Sequence, residues 1–117
     1  MAQTTFRHGQ PIMIDYTPGA GNVTAGDVVM LGNLTGLTCG IAHVDIENTK
    51  LGALAAGGGV YDAINLNNAA NYAKVYWDYS VDKITSVSTN NSQFGFVVDD
   101  GGGGANSTAR ALHWPYV

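Results

Sequence analysis

The side chains best suited to chemistry are few: His8, His43, His113, the single Cys39, and nine acidic residues of which Glu47 is the only glutamate. A metal centre needs three or four ligands brought together, and no segment supplies them at ligand spacing. Of the three histidines only His43 has a carboxylate at such spacing, Asp45 two residues on, which puts both side chains on one face of a strand. Two ligands without a third read as a hydrogen-bonded pair at a strand end. Cys39 lies within Leu37-Thr38-Cys39-Gly40-Ile41 and reads as a small buried hydrophobe. As the only cysteine, it excludes an intrachain disulfide and a cysteine zinc site. Asp99-Asp100-Gly101 lacks the spaced oxygen ligands and closing glutamate of a calcium loop. The run from Gly101 to Thr108 has the glycines of a phosphate loop but no lysine, and it leads into a strand. No Gly-x-Ser-x-Gly elbow occurs, and no two acids are placed for general acid and base work. The expectation is a protein without a catalytic centre, metal or cofactor.

The elements that would position these residues read as strands. Residues 11–16 alternate, with Ile12, Ile14 and Tyr16 on one face and Met13 and Asp15 on the other. Thr17-Pro18-Gly19-Ala20-Gly21-Asn22 breaks that strand, and Ala25-Gly26-Asp27 turns into Val28-Val29-Met30-Leu31. Gly32-Asn33 is a turn before a strand over residues 37–44. Residues 51–55 and 60–64 flank Ala56-Gly57-Gly58-Gly59, a pattern that predicts a hairpin with glycines at positive φ. Residues 66–72, rich in Asn and Ala, support one helical turn at most. Residues 74–77 and 83–87 bracket a second hairpin loop, 78–82. Residues 94–98 and 107–113 are the closing strands, joined by a glycine-rich loop; Ala109, Ala111 and His113 share one face of the last.

About seven to nine short strands with frequent turn signals predict an all-β fold, a small sandwich or barrel. Residues 1–10 lack apolar alternation and read as an extended N-terminal arm, ordered against a partner, ahead of a single β domain over residues 11–117.

Composition narrows the class of partner. Of the 117 residues 12% are charged, about half the usual share, and the net charge is −4. Arg7, Lys50, Lys74, Lys83 and Arg110 are scattered singly, so no basic stripe is available to neutralise nucleic-acid phosphates. No run approaches the ~18 apolar residues of a membrane span, and residues 1–10 do not resemble a secretory signal. Synthesis in the cytoplasm is therefore expected, and the Asn22-Val23-Thr24 and Asn33-Leu34-Thr35 tripeptides are read as chance matches to a glycosylation site. The aromatic residues are more informative. Tyr72, Tyr76, Trp77 and Tyr79 cluster about one hairpin, and Trp114 and Tyr116 close the chain. Val75 and Trp77 share a face opposite Tyr76, so one large ring fills the core and the other is free for a contact. Tyr76, Trp77, Tyr79 and Trp114 are the expected subunit-interface residues, since Tyr and Trp are enriched at such surfaces.

Three segments carry a family resemblance: Ala25-Gly26-Asp27-Val28-Val29, Ala73-Lys74-Val75-Tyr76-Trp77-Asp78, and Phe94-Gly95-Phe96-Val97-Val98. In this order, with Lys83-Ile84-Thr85-Ser86-Val87 between the last two, the chain resembles the phage capsid cement (decoration) proteins. Ala73 near a usual glycine, the Gly101 to Gly104 insert and the Trp114-Pro115-Tyr116-Val117 tail depart from the family pattern. The resemblance implies a structural protein that binds the outside of the expanded head, with the major capsid protein as partner and a homotrimer as its assembly. It implies a virion location and no active site. On that reading Thr4, Thr5, Phe6, Arg7 and His8 are the expected capsid-binding arm, adding a strand to a capsid sheet edge. The competing reading is a carbohydrate-binding or adhesive β module, which requires exposed coplanar rings among Tyr72, Tyr76, Trp77 and Tyr79.

Overall fold

The computed structural model describes residues 3–32 and 38–115. Within them the chain forms ten strands: β1 Thr5–His8, β2 Ile12–Tyr16, β3 Val28–Leu31, β4 Thr38–Ala42, β5 Gly52–Gly57, β6 Val60–Asn65, β7 Lys74–Asp78, β8 Lys83–Thr85, β9 Ser92–Asp99 and β10 Ser107–His113. No helix occurs among the described residues. The strands make a six-stranded sheet, β1-β6-β10-β9-β7-β8, and a four-stranded sheet, β2-β5-β4-β3. All neighbours are antiparallel except for one parallel bridge, Asn65 to Ile84, which curls the larger sheet back on itself. Both halves of the sandwich-or-barrel expectation are thus visible, two packed layers with one layer partly closed.

The two sheets differ in pattern, and the difference follows from what each face meets. In the larger sheet polarity alternates. Tyr61, Ala63, Val75, Trp77, Phe94, Val97, Ala109 and Ala111 point inward and are buried. Asp62, Lys74 and Arg110, at alternate positions, line the outer face. The smaller sheet is apolar on both faces. Cys39, Ile41 and Ala55 join the core between the sheets. Ala42 and Leu54 face outward into a second cluster with Ile46, closed over by Tyr16, Val23, Val29 and Leu31. The Val23–Ile46 bridge holds that lid in place. Asp15 is the only charged residue in the four strands of this sheet.

Local chemistry accounts for several joints. The turn ahead of β3 needs Gly26 at φ +93°, with Asp27 Oδ2 accepting from the Thr24 amide at 3.0 Å. The expected β7–β8 hairpin forms, pairing Tyr76 with Thr85 and Asp78 with Lys83. Residues 66–72 make turns without a helix, because Asn65 gives Ala69 both an acceptor and a donor at 3.0 Å.

Two expectations require correction. Residues 52–57 and 60–65 do not pair as a hairpin. β5 belongs to the smaller sheet and β6 to the larger, and Gly58 and Gly59, both at positive φ, carry the chain between layers. The N-terminal segment is no detached arm either. Thr5–His8 is an edge strand, with Thr5 opposite Asp62 and Phe6 opposite Tyr61. Alternation was hard to see there because an edge strand has little to bury, and its partner lies more than fifty residues away.

Candidate functional site

The N-terminal strand is fastened to both layers. Thr4 is buried and directs its amide (3.0 Å) and hydroxyl (2.8 Å) to the Gly26 carbonyl. Gln3 Oε1 accepts from the Val28 amide at 2.9 Å, covering the start of β3. Phe6 then packs its ring on His43, centroids 4.7 Å apart, and against Tyr61 at 5.4 Å. His43 Nε2 and the Tyr61 hydroxyl lie 2.6 Å apart. Between this cluster and the Ala25-Gly26 turn is a shallow cleft of about 320 Å³. Burial lowers the His43 pKa from its ordinary value and raises that of Tyr61. The predicted His43–Asp45 pair does not form, because β4 ends at Ala42 and the two side chains part. Asp45 Oδ1 instead accepts from the Ala25 amide at 2.8 Å.

Arg7 and His8 remain exposed in β1. On the outer face Asp62 lies between Arg7 at 3.5 Å and Arg110 at 3.6 Å, an open charge cluster that runs across β1, β6 and β10. Among half-exposed groups such pairs contribute little stability.

The aromatic residues do not gather into one surface. Trp77 is fully buried and stacks on Phe94 at 5.9 Å, so it fills the core and is unavailable as an interface anchor. Tyr76 points outward from the neighbouring position, as the alternation requires. Tyr79 is half-buried, its hydroxyl donating to Ser92 Oγ at 3.0 Å. Tyr72 is exposed, at φ +68°. Trp114 is 39% exposed just after β10. Gln93 links it to Tyr76, pairing with the tyrosine across strands and donating its amide to the Trp114 carbonyl at 3.5 Å. Of the four hairpin rings only Tyr72 is exposed, so they offer no common platform for a sugar.

The reactive groups are built into the core. Cys39 is buried, and desolvation pushes its thiol up to about 12, where it is neither a nucleophile nor a ready metal ligand. His113 is fully buried, with Nε2 3.0 Å from the Cys39 carbonyl and 3.6 Å from its sulfur. Burial lowers its pKa to about 4. Sequence reasoning left out this contact. The inward face of residues 107–113 was legible, but which strand His113 would meet was not. Among the described residues no three His, Cys, Asp or Glu side chains come together as a metal site.

What these features define is an all-β scaffold of two sheets with its reactive side chains built into the core. A scan against models of protein families matches the phage cement protein model over residues 6–112. The chain belongs to the phage cement protein family, whose role is structural stabilisation of the phage capsid. No curated protein and no solved structure matches it.

Proposed function

We propose that this cement protein attaches to the outer surface of the expanded head, takes the major capsid protein as its partner, and acts as a homotrimer. The observation that supports this most is the extent of the family match, which runs from Phe6 in β1 to Leu112 in β10 and so takes in the sheet framework. The role asks for adhesion and rigidity and needs no catalytic step. A surface rich in uncharged Thr, Asn and Ser suits it, because such groups lose little on docking whereas buried unpaired charges cost several kcal/mol each. Made in the host cytoplasm, the protein would act only once assembled on the virion.

Thr4, Thr5, Phe6, Arg7 and His8 serve as a capsid contact on this reading through the exposed side chains of β1, with Thr4 as the internal fastening. Tyr76 and Trp114 serve as the subunit contact, with Tyr79 beside them and Trp77 supporting their strand from within. The test is to add purified protein to expanded heads that lack it. Saturable binding with a rise in the temperature of head rupture is the expected result; failure to bind expanded heads would overturn the assignment. Sedimentation of the free protein checks the trimer, and dissociation by Tyr76→Ala with Trp114→Ala checks its contact.

A further inference from the structure

Edge strands expose unpaired amides and carbonyls, and proteins usually guard them with charge, shortness or a covering segment. Three of the four edges here are guarded. β1 carries Arg7 and His8, β8 is three residues long and met on its other side by β6, and β3 is covered at Val28 by the Gln3 side chain. β2 differs. It pairs only with β5 among the described strands. Its residues Ile12, Met13 and Ile14 are 61%, 45% and 38% exposed in succession. Asp15 is its only charge.

We propose that β2 is the site at which an extended segment of the capsid subunit adds as a fifth strand to the smaller sheet; the proposal rests on the cement assignment above. The occupant follows from size. Five residues span roughly 17 Å, so one added strand covers a few hundred Å² at most, well below the ~800 Å² per partner that holds a free complex. Such an edge is too short to hold a second copy of the chain in solution. It is sufficient where the partner repeats across a shell and many weak contacts act together. The alternation sets the partner's chemistry. Ile12 and Ile14 on the outer face call for apolar or β-branched residues opposite, and Met13 and Asp15 on the inner face call for an apolar residue followed by a basic or hydroxyl one. Backbone pairing supplies the bond and these side chains the register.

The test compares wild type, Ile12→Lys with Ile14→Lys, Met13→Lys, and the control Val81→Lys, an exposed apolar site in the β7–β8 loop. Each is titrated onto expanded heads lacking the protein, and bound copies are counted. The expected result is about tenfold or greater weakening for the β2 variants and none for the control, since charge set into an apolar strand contact is strongly disfavoured. Hydrogen exchange on wild type gives a readout independent of variant folding, with amides of residues 12–16 slowing on heads. Wild-type binding with unaffected β2 variants and unchanged exchange at 12–16 overturns the β2 site and leaves the cement role standing. No wild-type binding overturns both. A solution oligomer that the β2 variants dissociate overturns the choice of capsid over a second copy.

Discussion

Acidification should destabilise this protein through His113. The ring is fully buried, and Nε2–H donates to the Cys39 carbonyl at 3.0 Å, which fixes the neutral tautomer with Nδ1 as its bare nitrogen. Nδ1 has no hydrogen-bond partner, so protonating it would bury a charge and an unmet N–H together. The groups about the ring are the Cys39 thiol, Tyr61 and Phe94, with His43 adding a smaller repulsion, and none of them is an anion to balance the charge. The folded pKa is about 4 against 6.5 for the free side chain. The unfolded chain therefore binds the proton first. Stability is full above about pH 7 and falls as the pH drops below 6.5, the loss levelling out near 4. At pH 5 the loss is about 2 kcal/mol, and the full shift corresponds to about 3 kcal/mol. His43, also lowered, acts in the same direction, while Asp82, raised by burial and nearby carboxylates, opposes it only in the carboxylate range. Urea denaturation at pH 7.5, 6.5, 5.5 and 5 measures this. For a chain of this size the melting temperature should fall by roughly 6–12 °C across that range. His113→Gln should lower stability at pH 7.5 but flatten the slope. A wild-type slope no steeper than that of the glutamine variant would refute the reasoning.

Gly95 sits at φ +152°, where an added Cβ would meet the Leu112 carbonyl oxygen at 1.9 Å, so Gly95→Ala should displace β10 and cost several kcal/mol by urea denaturation. Trp77→Ala should cost about 3–5 kcal/mol, whereas Tyr76→Ala one residue earlier should cost much less, a contrast readable by thermal melts. Cys39 should resist an aromatic disulfide reagent in the native state and react at once in urea, because both burial and a pKa near 12 suppress the thiolate. Prompt reaction without denaturant would show that β4 opens readily.

The strands were legible wherever one face meets the core and the other meets water. Residues 74–78 show this best, as Val75 and Trp77 alternate with outward Lys74, Tyr76 and Asp78. Pairing was legible only where neighbours in sequence are neighbours in space, as in β7 and β8. It failed at Gly57-Gly58-Gly59, because glycines that permit a tight hairpin equally permit a step between sheets. Phe94 and Phe96 were a subtler case. Two residues apart, they should share a face, yet Phe94 is fully buried and Phe96 is not, because the ladder with β7 shifts between Gln93 and Gly95 and leaves Phe94 as the extra residue. The open edge at β2 left a trace in Ile12-Met13-Ile14, but three apolar residues in a row cannot announce which of them lack a neighbour. The buried contact of His113 with Cys39 joins residues 74 positions apart, and no local pattern encodes it.

The central claim, that this chain is a shell-bound cement protein, is tested most directly by counting it in gradient-purified phage particles by quantitative mass spectrometry against the major capsid subunit. The account predicts a ratio near one copy per capsid subunit, as the proposed homotrimer gives when it fills the local three-fold positions of the shell. A handful of copies per particle, or none, would contradict it.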